Sequence, residues 1–103
     1  MITDKQFVDS FTAAGGWFIL TQFEKIYNWN GTKADLIDEL FKEGFDNKRT
    51  GTTTRLSSVM RIIEEERGED ALIKIRDSQI INNAHPEAKE RASELLEKYY
   101  SIK

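Results

Sequence analysis

Apolar residues in this chain recur three and four positions apart, and no segment sustains a strand-like alternation with polar ones. That recurrence is the period of an α-helix, in which positions i, i+3, i+4 and i+7 share a face. Glycine and asparagine interrupt it at Gly15-Gly16, Asn30-Gly31, Gly44, Gly51, Gly68 and residues 82–86, cutting the chain into helix-sized pieces. A chain of 103 residues has room for one ordinary domain. The expectation is therefore an all-α, compact single-domain bundle of about five to six short helices spanning residues 1–103.

The pieces carry their own start and stop signals. Thr3 with Gln6 forms a capping-box pattern, followed by Phe7, Phe11 and Ala14 on one face with Val8 beside them, and Gly15 as the stop. Residues 17–27 are apolar on more than one side, which suits a central buried helix or a strand beginning WFILTQF. A strand would find no partner elsewhere in the chain, so helix is preferred. Thr32 caps a third helix with Asp35 in its first turn and Leu36, Ile37, Leu40 and Phe41 as its stripe; Gly44 ends it, with Phe45 packing back near Leu40. A fourth helix follows the loop 46–51, with Leu56, Val59, Met60 and Ile63 as its buried stripe and Gly68 as its stop. A short fifth helix over residues 69–77 buries Leu72 and Ile75, and residues 78–83 are ambiguous. The sixth opens at Pro86 and runs to about Tyr100 on Ala88, Ala92, Leu95, Leu96 and Tyr99.

Composition narrows the chemistry. A net charge of −3 and a pI near 5.2 speak against a general nucleic-acid coat or a membrane-surface binder, since both need cationic fields. The absence of cysteine removes disulfides, thiolate metal sites and cysteine nucleophiles, and suits a reducing compartment; a cytoplasmic location is expected. The start, MITDKQF, has no charged segment leading into an apolar one. The run Trp17-Phe18-Ile19-Leu20 is far too short to span a bilayer, so no membrane partner is expected. Asn30-Gly31-Thr32 matches a glycosylation sequon but reads as a turn.

One segment is chemically pointed. Residues 42–61 hold five basic and two acidic residues, a local surplus of positive charge in an acidic chain. They surround the string Lys48-Arg49-Thr50-Gly51-Thr52-Thr53-Thr54-Arg55, with Ser58 one turn on. Amides at a helix start, threonine hydroxyls and nearby guanidinium groups are what a phosphate requires. The fourth helix also carries arginine near its start and Glu64-Glu65-Glu66 near its end, the reverse of what the helix dipole favours. Lys48, Arg49, Thr50, Thr52, Thr53, Thr54, Arg55 and Ser58 are accordingly the candidate nucleic-acid or anion-binding residues. A purely structural reading competes with this one: the threonines cap the helix, Lys48 and Arg49 are a solvated pair, and Arg61 pairs with Glu64 or Glu65.

Other patterns fail. The spacing from Gly44 to Gly51, with Thr52 where a lysine belongs, is not a phosphate-binding P-loop. The connection from Gly44 to Gly51 is too long for an ordinary helix-turn-helix. The acidic run 64–70 lacks the alternation and central glycine of a calcium loop. His85, the only histidine, has no Cys/His cluster to join, and no acid/base or nucleophile constellation is visible, so neither enzymatic activity nor a metal or other cofactor is expected. Trp17, Phe18, Phe23 and Tyr27 read as core. Trp29, between two asparagines, and Tyr100, adjacent to Tyr99, are candidate protein contacts.

The sequence thus leads to a small, non-enzymatic regulatory binding protein. Its first expected partner is nucleic acid or another phosphate-bearing ligand, held at residues 48–61. The alternative is a protein partner, with the chain acting as an adaptor or inhibitor of phage or mobile-element type through acidic helix faces and exposed aromatics. Oligomeric state stays open.

Overall fold

The Thr3 hydroxyl accepts from the Gln6 amide at 3.1 Å, and the Gln6 side chain accepts from the Thr3 amide at 2.9 Å. Two amides at the helix start that would lack partners are thereby satisfied reciprocally. In the computed structural model, which describes residues 1–102, this cap opens α1 (Asp4–Ala14), whose inner face buries Phe7, Phe11 and Ala14 while Val8 lies exposed. Gly15, at φ +85°, ends α1 and turns the chain into α2 (Gly16–Tyr27). The segment that was apolar on several sides is thus a helix, and it buries Phe18, Ile19, Leu20, Phe23 and Ile26 around much of its circumference. It packs against α1 and against three later helices, and so forms the centre of the core.

Thr32 caps α3 (Lys33–Lys42) by accepting from the Asp35 amide at 3.1 Å. Gly44, at φ +84°, closes that helix, and Phe45 meets Phe18 edge-on at 5.1 Å. The fourth helix, α4 (Arg49–Glu64), begins at Arg49, so Thr50 and Gly51 lie in its first turn and not in a preceding loop. After it come α5 (Gly68–Arg76), α6 (Gln79–Ala84) and α7 (Ala88–Tyr100). Pro86 and Glu87 form the turn before α7.

Among the described residues there are seven helices and no strand, more helices than the five to six expected. The addition is α6, made from the ambiguous stretch after Asp77. The Ser78 hydroxyl caps it by accepting from the Ile81 amide at 3.2 Å, a local bond that apolar periodicity does not register.

The bundle is all-α and compact, with a radius of gyration of 13.0 Å, the size expected of about 100 residues folded tightly. The most extensive packing is α1 on α4 and α5 on α7, with α2 between the two pairs. Fully buried Phe18, Phe23, Leu40, Leu56, Leu72, Leu95 and Leu96 contribute most to the core, each adding roughly 1.5–3 kcal/mol by leaving water.

Candidate functional site

The two ends of α4 are the chemically distinctive places in this bundle. At its start, the residues expected to hold a phosphate are largely engaged within the fold. Thr52 is buried, and its hydroxyl donates to Asp46 Oδ2 at 3.2 Å. Arg55 Nε donates to both Asp46 oxygens, at 3.0 and 3.1 Å, while Nη1 donates to the Ala14 carbonyl at 2.5 Å. Its guanidinium carbon lies 5.7 Å from the Phe18 ring centroid. Gly15 makes room for this arginine, since a Cβ there would stand 2.9 Å from Arg55 Nη1. Arg49 pairs with the Asp38 carboxylate and also donates to the Ala34 carbonyl at 3.3 Å.

The remaining hydroxyl donors turn back onto the helix. Thr53 donates to the Arg49 carbonyl, Thr54 to the Thr50 carbonyl and Ser58 to the Thr54 carbonyl, at 2.9–3.1 Å. Lys48 sits at the N-cap in extended conformation without a side-chain cap bond, and Thr50 is exposed. The structure therefore brings Thr52 and Arg55 together on Asp46, takes Arg49 to α3, and leaves Lys48 and Thr50 at the surface. The carboxylate of Asp46 occupies the place beside Thr52 and Arg55 that an anion bound by those two side chains would take.

The other end of α4 departs from its sequence pattern. Its core face is Thr52, Leu56, Val59 and Ile62, so Met60 and Ile63, expected in the core, are only half-buried. They open onto a groove bounded by α2, α4, α5 and the end of α7. One part of it, about 140 Å³, is lined by Ile26, Tyr27, Met60, Ile63 and Glu64. The adjoining part, about 570 Å³, is lined by Tyr27, Ile63, Glu66, Glu69 and Tyr100. Tyr27 and Ile63 belong to both.

The turn after α4 supplies the acidic wall. It is not Gly68 but Glu66 that reverses the chain, at φ +61°. The Glu66 amide donates to the Ile63 carbonyl at 3.0 Å and the Arg67 amide to the Ile62 carbonyl at 2.8 Å, the paired bonds of a Schellman stop. Gly68 makes room of a different kind: a Cβ there would stand 2.2 Å from Tyr100 Oη, so the tyrosine would have to shift. Tyr100 thereby lies half-buried over the start of α5, and the burial, with Tyr27 and Glu69 nearby, pushes its pKa up to about 12. Tyr27 is 43% exposed and packs between Phe23 and Tyr99, with centroids 5.6 and 4.6 Å away.

Behind the tyrosines, Glu24 ties α2 to α7. It accepts from Lys98, from Tyr99 Oη at 2.7 Å and from Arg91 Nη2 at 2.7 Å. These donors, Lys98 foremost, hold its carboxyl down at about 2.

Of the expected protein contacts, Tyr100 lines this groove. Trp29 instead clasps the α2–α3 turn: its Nε1 donates to the Thr32 carbonyl at 2.9 Å and its ring covers Gly31. Tyr27, Met60 and Ile63 were expected in the core and instead line the groove, and Glu66 and Glu69 were not singled out as contact residues. The signal available for them was a run of glutamates where a helix stop wants glycine. His85 stacks on Trp17 at 3.6 Å, the two ring planes nearly parallel. Among the described residues, no group of three or more histidine, aspartate or glutamate side chains is placed to hold a metal ion, and no helix is long and apolar enough to cross a membrane. No family model matches the chain, and no significant match is found among curated proteins or solved structures.

Proposed function

We propose that this chain is a non-catalytic protein-interaction module of adaptor or inhibitor type, and that it meets its partner at the end of α4. The observation that carries this reading is Asp46. By taking Thr52 and Arg55, it absorbs within the fold the cationic feature that pointed to a phosphate ligand. The apolar and aromatic side chains at the opposite end of the helix have no such internal use for their outward faces. Half-exposed tyrosine, methionine and isoleucine around a concave surface are the composition of a protein contact.

Two measurements test the choice. Short labelled DNA and RNA, duplex and single-stranded, are titrated at low salt; no saturable binding is expected. Saturable binding that weakens steeply with salt and drops in Lys48→Ala or Arg49→Ala transfers the function to the start of α4. In parallel, cross-linking capture from source-cell extract compares the wild type with Ile63→Asp and Lys48→Ala. The expected result is a partner retained by Lys48→Ala and lost by Ile63→Asp.

A further inference from the structure

Glu66 stands in the left-handed region, where a side chain costs roughly 1–2 kcal/mol and glycine is the usual occupant. Strain of this kind clusters at functional sites. Glu66 lines the larger part of the groove with Glu69 and two tyrosines. The neighbouring base does not neutralise it. Arg67 points elsewhere, bonded to Asp70 at 2.5 Å and Asp4 at 3.2 Å, with its guanidinium 4.3 Å from the Phe7 centroid. Glu65 is taken by the amino group of Met1 at 3.0 Å. Glu64, Glu66 and Glu69 form no ion pair among the described residues.

Carboxylates beside tyrosine ring faces attract a cation twice, through charge-assisted hydrogen bonds and through the ring quadrupole. They repel anions. The adjoining smaller part, lined by Ile26, Met60 and Ile63, accepts an aliphatic side chain. Because the two parts share Tyr27 and Ile63, their occupants must be neighbours on one face of the ligand, as residues three or four apart are on a helix. A helix also arrives with its backbone hydrogen bonds satisfied. A strand that adds by main-chain pairing would need a sheet edge, and the described residues contain no strand.

We infer, building on the protein-interaction reading above, that this groove binds a basic amphipathic helix of a partner protein. A lysine or arginine seats between Tyr27, Tyr100, Glu66 and Glu69, and an aliphatic residue one turn away seats on Ile26, Met60 and Ile63.

The test is a selection from a randomised helical peptide library on the wild-type protein, depleted on Ile63→Asp, followed by affinity measurements on Glu66→Gly. Enriched peptides should pair Lys or Arg with Leu, Ile or Met three or four positions apart. Glu66→Gly should bind them about tenfold more weakly while melting at a higher temperature than the wild type, which separates lost recognition from lost folding. Enriched peptides that are acidic or lack the pair, or affinity unchanged in Glu66→Gly, overturn the inference. So does spermidine binding as tightly as the peptides with the same dependence on Glu66, because the occupant is then a small amine. If no peptide is enriched yet Ile63→Asp still loses the cellular partner, the groove reading stands and the basic helix is wrong. If Ile63→Asp loses nothing in either experiment, both fall.

Discussion

The basic start of α4 and the acidic turn that follows its end differ in what the fold does with their charge. At the start, the arginines are matched: Arg55 lies on Asp46 and Arg49 on Asp38. At the end, Glu66 and Glu69 face a groove and find no cation among the described residues. A charge placed against the dipole costs only about 0.3–1 kcal/mol, so the sequence alone cannot separate a structural network from a binding surface. The partners decide it. Where the complement is supplied from within, the charge is architecture; where it is not, the charge stays available to a partner, as the proposed function requires.

That contrast can be broken at several points. The largest effect is expected for Asp46→Ala, which leaves the Thr52 hydroxyl and the partly buried Arg55 guanidinium without their acceptor. Urea unfolding followed by circular dichroism should show a loss of about 2–3 kcal/mol. A loss below about 0.5 kcal/mol would mean that the start of α4 does not depend on its internal anion, and the contrast with the other end would disappear.

Glu24→Gln should come next. Glu24 lies behind the groove tyrosines but, unlike Glu66, is fully engaged by Arg91, Lys98 and Tyr99. With its side chain 30% exposed, solvent screening leaves a cost of about 2 kcal/mol near neutral pH. Its carboxyl is held at about 2 against an ordinary 4.5, so the stabilisation is complete above pH 4.5 and is lost as pH falls from there towards 2. Melting curves across that range should therefore decline more steeply for the wild type than for Glu24→Gln; parallel declines would show that the Glu24 network does not hold α7.

Arg49→Ala should matter least. Its pair with Asp38 is about half exposed on both sides (45% and 55%), and such pairs contribute within about 0.5 kcal/mol. A cost comparable to that of Asp46→Ala would make the whole start of α4 one cooperative network, sharpening its difference from the groove.

Much of this was written locally in the sequence. The Thr3–Gln6 and Thr32–Asp35 caps, the Phe7–Phe11–Ala14 face and the Ala88–Ala92–Leu95–Leu96 face depend on residues within one or two turns, and all are found. The charge surplus around Arg55 was equally visible. Its neutralisation was not, because Arg55 reaches back to Asp46 across the helix start and to the Ala14 carbonyl on another helix. Gly68 read as a stop, whereas its constraint comes from Tyr100, far along the chain, and the stop itself falls on a strained glutamate. The groove was hidden for a related reason. Ile62 and Ile63 are adjacent, a helical stripe fits either, and the packing of α4 on α1, α3 and α2 determines that Ile62 goes inward.

The weakest-held element has a consequence of its own. No residue of α6 is buried, and Ile80 is 83% exposed. The element is fastened by Ile81, which sits over Gly16 and Phe11, and by Asn82, whose Nδ2 donates to the carbonyls of Ile75, Arg76 and Ser78 at 2.7–3.1 Å. Those fasteners can release without disturbing the interface of α5 with α7, so α6 should unclip as a unit far below the global unfolding energy and exchange its amide hydrogens first. The same independence makes this stretch the place where the chain would best tolerate being cut open and rejoined elsewhere.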